Sequence, residues 1–185
     1  MPNTRKNAPG GIIILGDIGG TNCRLANCEA RTGQITDITV IPITELPSLE
    51  EAIRQFMNLN PSNRYTTAAI SIANPITSDR VTMTNAHWDF SIEQTKINSG
   101  LDQLIVLNDW ESVALALPLL EGPDLQPINV CDGNNNGNRA LCGVGTGLGA
   151  AGLIRRPGSP WVPVAGEGGH VSFSPTDTEQ TDILK

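Results

Sequence analysis

The opening of the chain alternates short apolar runs with turn residues. Residues 12–18 form a continuous apolar run with β-branched side chains, which is typical of a buried strand. Residues 22–29 and 34–42 predict two more strands, and Arg31-Thr-Gly33 between them marks a hairpin. The chain therefore opens on a predicted three-stranded meander.

Two capping boxes predict helices after this meander. Ser48 with Glu51 opens one helix, which Asn60-Pro61 ends, and Ser91 with Gln94 opens a second, which closes at Gly100. The apolar residues of the first helix share one face: Leu49, Ala52, Ile53, Phe56 and Met57.

Two further strands and a third helix complete this part of the chain. Residues 66–72 and 104–107 predict buried strands, and residues 110–117 predict a helix rich in Ala and Leu. A meander followed by α/β alternation predicts an α/β domain with a mixed sheet. This is the order expected of the ribonuclease-H-like unit used by the actin-like ATPases, Hsp70 and hexokinase.

A segment rich in Pro, Gly and Asn separates this domain from the remaining C-terminal residues. We predict an N-terminal domain over residues 11–120, a linker or exposed loop over 121–138, and the first strands of a second, larger domain over 139–185. Thr176 and Glu179 form a capping box that starts a helix just before the last residue. We therefore expect the second domain to continue in a longer protein.

Charge and composition exclude several classes of function. The net charge is -7 with no basic cluster, which disfavours nucleic acid and anionic membranes as partners. The four cysteines form no C-x-x-C pair and the two histidines are far apart, which predicts reduced thiols and no structural zinc site. Apolar runs are too short for a signal peptide or a membrane span, so a cytoplasmic location is expected.

A glycine hairpin between the first two strands is a candidate phosphate site. Gly19 and Gly20 carry no Cβ, so the backbone N–H groups of the turn up to Thr21 and Asn22 can approach a phosphate. Asp17, at the end of the strand, can hold Mg²⁺ through water. A plain Gly-Gly turn is the alternative. No G-x-x-x-x-G-K-[ST] motif is present, so the chain is not a P-loop NTPase.

A second glycine loop covers residues 143–149 and can act as the other side of a nucleotide clamp. Residues 147–152 also match the dinucleotide pattern G-x-G-x-x-G. That pattern needs a helix directly after the glycines, and Pro157 and Pro160 leave little room for one. A β-hairpin is the better prediction, which disfavours a dehydrogenase.

Two polar clusters are candidates for the chemistry. Asn108-Asp109 closes a strand and opens a helix, where strand ends in α/β sheets face ligand crevices. Ordinary helix capping is the alternative. Glu167-Gly-Gly-His170 forms a tight polar turn that can aim two side chains into one pocket, or is simply a surface turn.

Taken together, these segments resemble bacterial glucokinases over essentially the whole chain after about residue 11. The matching segments, in order, are GDIGGTN at 16–22, VTMTNAHWDFSI at 81–92, LNDW at 107–110, GVGTGLG at 143–149 and GEGGHVSFSP at 166–175.

The resemblance implies ATP-dependent phosphorylation of glucose at its 6-hydroxyl, with Mg²⁺ bound through ATP. It implies that Asp109 is the general base and that Asn108, Asp109, Glu167 and His170 hold the sugar. It places the ATP phosphates between two sets of residues: Asp17, Gly19, Gly20, Thr21 and Asn22, and Gly145, Thr146 and Gly147. Members of this family are commonly dimeric, so the resemblance suggests a homodimer.

We therefore expect Asp109 and the Glu167–His170 turn to converge on one cleft that faces the phosphates. Two other functions stay open: a non-catalytic fragment that binds sugar or nucleotide, and an actin-like ATPase without sugar chemistry. The sugar-type polar clusters argue against the ATPase. Glucose-dependent ADP release would separate the kinase from the non-catalytic module.

Overall fold

The computed structural model describes residues 11–129, 134, 136–144, 147–172 and 174–184. The chain divides into two compact units, Met1–Ser112 and Val113–Lys185. The domain boundaries expected from the sequence stay a prediction.

Ten strands and four α-helices make up the described fold. The strands are β1 (Ile12–Ile18), β2 (Asn22–Glu29), β3 (Ile35–Pro42), β4 (Thr67–Ile72), β5 (Arg80–Thr82), β6 (Asp89–Ser91), β7 (Gln103–Asn108), β8 (Arg139–Val144), β9 (Leu148–Ile154) and β10 (Val162–Gly166). The helices are α1 (Leu49–Leu59), α2 (Ile92–Asn98), α3 (Asp109–Ala116) and α4 (Thr178–Ile183).

A five-stranded sheet organises the first unit, in the order β3-β2-β1-β4-β7. The opening meander β1–β2–β3 is antiparallel, whereas β4 runs parallel to β1 and β7 runs parallel to β4. The predicted α/β fold with a mixed sheet is confirmed.

One face of this sheet is covered by α1. The Ser48 hydroxyl accepts a hydrogen bond from the Glu51 N–H at 3.2 Å, which fixes the start of the helix as predicted. The helix then buries a continuous apolar face: Leu49, Ala52, Ile53 and Phe56. Ile14 and Ile70 of the sheet belong to the same core. Each such fully buried large side chain contributes about 1.5–3 kcal/mol.

The short hairpin β5–β6 has no counterpart among the predicted strands. Its strands are three residues each, too short for a period-two pattern to be visible. Trp88, which is 1% exposed, anchors the segment because its indole N–H donates to the Leu46 carbonyl at 2.8 Å. The hairpin leads directly into α2, whose N-cap Ser91 accepts from the Gln94 N–H as predicted.

A polar network lies near the C-terminal end of β2. The buried Asn27 accepts from the Tyr65 hydroxyl at 2.6 Å and donates to the Asp37 carboxylate at 2.8 Å. Asp37 has a φ of 53° at the point where the β2–β3 register shifts by one residue. The network therefore secures an irregular edge of the sheet.

The described thiols are consistent with the predicted reduced state. Cys23, Cys28 and Cys142 are free. Burial, and then the nearby Asp17 carboxylate, raise the pKa of the Cys23 thiol to about 12, so this thiol stays protonated at neutral pH.

A three-stranded antiparallel sheet, β10-β9-β8, forms the centre of the second unit. The predicted hairpin after the second glycine loop is confirmed, because β9 follows the glycines where a dinucleotide site would need a helix. The predicted N-terminus of the last helix was wrong by one residue. Asp177 caps α4 by accepting from the Gln180 N–H at 2.8 Å, while Thr176 donates to the Gln180 side chain.

Across the part of the chain that is described, none of the helices combines the length and apolar character that crossing a membrane requires.

The hydrogen bonds of the Asp79 carboxylate predict that the stability of the fold depends on pH. It accepts hydrogen bonds from the Ser91 hydroxyl and the Glu93 N–H, and these bonds lower the pKa of Asp79 below its ordinary value. A carboxyl with a lowered folded-state pKa adds stability above its unfolded pKa of about 3.9 and loses it as pH falls through the folded pKa.

We therefore expect Asp79→Asn to lower the urea midpoint at pH 7, with a difference from wild type that shrinks below about pH 4. Asp102→Asn is the matched control, because the carboxylate of this exposed residue accepts no hydrogen bond from the described residues. A difference between Asp79→Asn and wild type that is constant from pH 7 to pH 3 would contradict this role.

Candidate active site

Three parallel strands end in one row at the same edge of the first unit's sheet. Ile18 of β1 pairs with Ile72 of β4, and Ile72 pairs with Asn108 of β7. Neighbouring strands are about 4.8 Å apart, so the residues that follow these three ends emerge close together. The first glycine hairpin and Asn108-Asp109 thus share one edge of the sheet.

The Asn108 side chain holds the end of β7 together. Its Nδ2 donates to the Asp109 Oδ1 at 2.8 Å and to the Asn74 carbonyl at 3.3 Å, and its Oδ1 accepts from the Trp110 N–H at 3.0 Å. Both amide hydrogens and one oxygen lone pair are therefore used within the protein. One lone pair of Oδ1 remains to accept a ligand hydroxyl.

Asn108 is also the N-cap of α3. Helix capping and a place in the candidate site, which the sequence offered as alternatives for Asn108, are therefore compatible. The Glu111 carboxylate closes the box, because its Oε2 accepts from the Asn108 N–H at 3.2 Å. The sequence analysis missed this role for Glu111. The N-x-x-E spacing at residues 108–111 was the available signal.

The two carboxylate oxygens of Asp109 have different surroundings. Oδ1 accepts from the Asn108 amide and from the Trp110 N–H at 2.9 Å, whereas Oδ2 receives no hydrogen bond from the described residues. The residue is partly exposed and is the first residue of α3, where the helix dipole favours a negative charge. This arrangement fixes the carboxylate and leaves one oxygen available for a proton.

Close backbone packing explains one glycine of the first hairpin. The Gly19 N–H donates to the Asn22 carbonyl at 3.0 Å, which closes the turn. A Cβ on Gly20 would lie 3.0 Å from both the Cβ and the carbonyl oxygen of Asn85, in the loop between β5 and β6. Thr21 at the tip is exposed. The hairpin is therefore packed against the β5–β6 loop on one side and open on the other.

Asp17 faces Arg24 across the first hairpin. Arg24 Nη1 lies 2.9 Å from Asp17 Oδ2, and both side chains are about half exposed, at 49% and 58%. Within the described residues, no group of three or more His, Cys, Asp or Glu side chains could hold a metal ion. A single exposed carboxylate, here with Oδ2 paired to Arg24, would hold Mg²⁺ only through water, so the ion would be bound mainly by substrate phosphates.

In the second unit, the Glu-Gly-Gly-His turn packs on the start of β9. Gly168–His170 form one turn of 3₁₀ helix, and Glu167 before it is exposed. A Cβ on Gly169 would overlap the carbonyl oxygen of Leu148, the first residue of β9. The turn therefore lies directly beside the residue that follows Gly147.

Three of the predicted site residues lie wholly or partly outside the described structure. Gly145 and Thr146 are outside the described residues, as is the side chain of His170. Asp109 belongs to the first unit and the Glu167–His170 turn to the second. Their convergence on one cleft stays a prediction.

Comparison with known proteins identifies the family to which this chain belongs. The model of the Glucokinase family matches residues 14–185. The chain belongs to the glucokinase family. A glucokinase from Chromobacterium violaceum is 42% identical over 172 residues, which cover 93% of this chain and 49% of that protein. The bifunctional protein glk of Burkholderia orbicola is 43% identical over 177 residues, or 95% of this chain and 27% of that protein.

A solved structure of the glucokinase family has the same fold. The crystal structure of glucokinase from an Antarctic psychrotroph aligns with a TM-score of 0.81 at 31% identity, covering 95% of this chain and 56% of that one. The ribonuclease-H-like, actin-like ATPase fold predicted from the order of elements is therefore confirmed. The chain spans about half the length of the curated glucokinases that it matches.

Gly169→Ala tests the packing of the Glu-Gly-Gly-His turn. The added methyl would meet backbone rather than a flexible side chain, so we expect the free energy of unfolding to fall by about 2–4 kcal/mol. Gly166→Ala is the matched control, because its Cβ would make an ordinary contact of 3.5 Å with the Ala150 carbonyl. Equal thermal stability of the two variants would contradict the proposed packing.

Proposed function

We propose that the complete protein is a glucokinase that transfers the γ-phosphoryl group of ATP to the 6-hydroxyl of glucose. The observation that carries this proposal is the Asp109 carboxylate, held through Oδ1 at the end of β7 with Oδ2 available. It lies on the sheet edge that also carries the first glycine hairpin. Membership of the glucokinase family supports the same reaction.

Asp109 acts as the general base in this proposal. A sugar hydroxyl is a weak nucleophile, and a positioned carboxylate that accepts its proton assists attack on the phosphorus. The bonds from the Asn108 amide and the Trp110 N–H prevent rotation of the carboxylate, so Oδ2 keeps one direction. Fixing this geometry before the substrate arrives is a large part of catalysis for phosphoryl transfer.

The sugar hydroxyls are recognised by the polar side chains that the glucokinase family implicates. In the first unit, Asn108 Oδ1 has one lone pair left for a hydroxyl and Asp109 accepts from the reacting one. Glu167 and His170 of the tight turn supply the remaining contacts. Glucose as the preferred hexose rests on the family.

The phosphates are held by backbone groups rather than by a positive field. The first hairpin contributes the backbone N–H groups of Gly20 and Thr21 with Asn22, while the Gly19 N–H shapes the turn by donating to the Asn22 carbonyl. The second loop contributes Gly145, Thr146 and Gly147. Asp17, which is paired with Arg24, would hold Mg²⁺ through water. When bound with ATP, Mg²⁺ neutralises charge on the β- and γ-phosphates. This arrangement suits a chain with a net charge of -7.

We further propose that the protein works in the cytoplasm, at the entry of glucose into glycolysis, without nucleic acid or membrane partners, and that it is a homodimer. An actin-like ATPase would hydrolyse ATP without sugar, and a non-catalytic module would form no ADP. Coupled measurement of ADP with and without glucose separates the three functions.

Asp109→Asn tests the catalytic assignment in the complete protein. The amide keeps the shape of the side chain but cannot take the hydroxyl proton, so we expect kcat to fall by about 10²–10⁴-fold. Glucose binding, measured by titration calorimetry, is expected to change far less than kcat. Asp102→Asn serves as the control and is expected to match wild type. An Asp109→Asn enzyme with near-normal kcat would refute the assignment.

A further inference from the structure

Asn74 is a buried polar residue that the catalytic proposal does not use. It lies two residues after β4, at the same sheet edge as Asn108-Asp109, and it is only 7% exposed. A polar group that is removed from water destabilises the fold unless it is hydrogen-bonded, so the partners of such a residue indicate what it holds in place.

The side chain of Asn74 connects β4 to the β5–β6 loop. Its Oδ1 accepts from the Thr84 N–H at 3.2 Å and from the Thr84 hydroxyl at 3.5 Å. Its Nδ2 donates to the Pro75 carbonyl at 3.0 Å, which fixes the orientation of the amide. The start of the β5–β6 loop is thereby tied to the end of β4.

The backbone around Asn74 makes two further connections at this edge. The Asn74 carbonyl accepts from Asn108 Nδ2, the same nitrogen that donates to Asp109 Oδ1. The preceding N–H, that of Ala73, donates to the Ile18 carbonyl at 3.0 Å, immediately before the first glycine hairpin. The segment thus contacts the strand ends on both sides of β4.

The loop that Asn74 holds is itself packed on the glycine hairpin. Asn85, the neighbour of Thr84, is the residue that approaches the Gly20 backbone so closely that a Cβ there would be crowded. One residue therefore links two parts of the site: its backbone carbonyl contacts Asn108, and its side chain holds Thr84, the neighbour of Asn85 at Gly20.

We propose that Asn74 is a positioning residue, which sets the direction of the Asn108–Asp109 pair and holds the β5–β6 loop against the phosphate hairpin. The inference rests on the proposed function, since the geometry it controls is that of the general base. Asn74 itself need not touch substrate. Small displacements of a reacting group lower turnover by up to about 10²-fold.

The first test is the kinetic effect of Asn74→Ala in the complete protein. We expect kcat with glucose and ATP to fall by about 10- to 100-fold under conditions in which the variant is fully folded. Asn27→Ala is the matched control. Asn27 is also a buried asparagine with a side-chain network, at 2% exposure, but it pairs with Ile14, four residues before the strand ends that carry the site. Asn27→Ala is expected to lower the melting temperature while kcat stays within about threefold of wild type.

The decisive test is a double-mutant cycle with Asn108→Ala. If Asn74 acts through Asn108, the combined loss in kcat falls short of the product of the two single losses, by about fivefold or more. The cycle of Asn27→Ala with Asn108→Ala is expected to be multiplicative. If Asn74→Ala does not fold, Asn74→Ser, which keeps a hydroxyl at the buried position, goes through the same cycle.

The outcomes separate the inference from the function on which it rests. Multiplicative losses for Asn74 and Asn108, or a kcat for the Asn74 variant equal to that of Asn27→Ala, overturn the positioning role in an active enzyme. A wild-type protein that forms no glucose-dependent ADP overturns the proposed function, and the inference with it.

Discussion

The candidate site depends on the hydrogen bonds of one side chain, the amide of Asn108. This amide caps α3, holds the Asp109 carboxylate and reaches the backbone carbonyl of Asn74, two residues after the neighbouring strand β4. It can do so because β1, β4 and β7 are parallel and their ends are in register. The sheet brings the ends of the three strands side by side, and the hydrogen bonds of the Asn108 amide then fix the orientation of the Asp109 carboxylate.

Backbone proximity is the second constraint, and it acts in both units. Gly20 lies against Asn85, and Gly169 lies against the Leu148 carbonyl. Each glycine lets a polar turn approach a neighbouring loop or strand more closely than any other residue would permit. The glycines at these two positions therefore allow neighbouring segments to pack closely, backbone against backbone.

Much of the fold follows from local sequence. The strands of the large sheet and the starts of α1 and α2 were predictable, because Ser48 and Ser91 carry their capping signals beside strongly periodic segments. The hairpin β5–β6 was not predictable, because its short strands depend on anchoring by Trp88 to the distant Leu46 carbonyl. At α4, two adjacent residues both suit an N-cap, and the choice of Asp177 over Thr176 is made by the folded chain.

The sequence indicated which residues belong to the candidate site, but not the hydrogen bonds that connect them. Asn108 and Asp109 stand out because they follow a buried strand, and Glu111 has a local N-x-x-E signal. Asn74, in contrast, contributes through a bond to Asn108 that forms only when β4 and β7 are paired. Side chains that position other side chains leave little signal in a single sequence. Their partners are neighbours in space that only the register of the sheet brings together.

The most direct measurement is a crystal structure of the complete protein with glucose and a non-hydrolysable ATP analogue. The account predicts Asp109 Oδ2 at hydrogen-bond distance, about 2.6–3.2 Å, from the 6-hydroxyl of the sugar. It also predicts that Asn108 still donates to Oδ1. A sugar whose 6-hydroxyl is bound by another carboxylate, with Asp109 turned away from the phosphates, would contradict it.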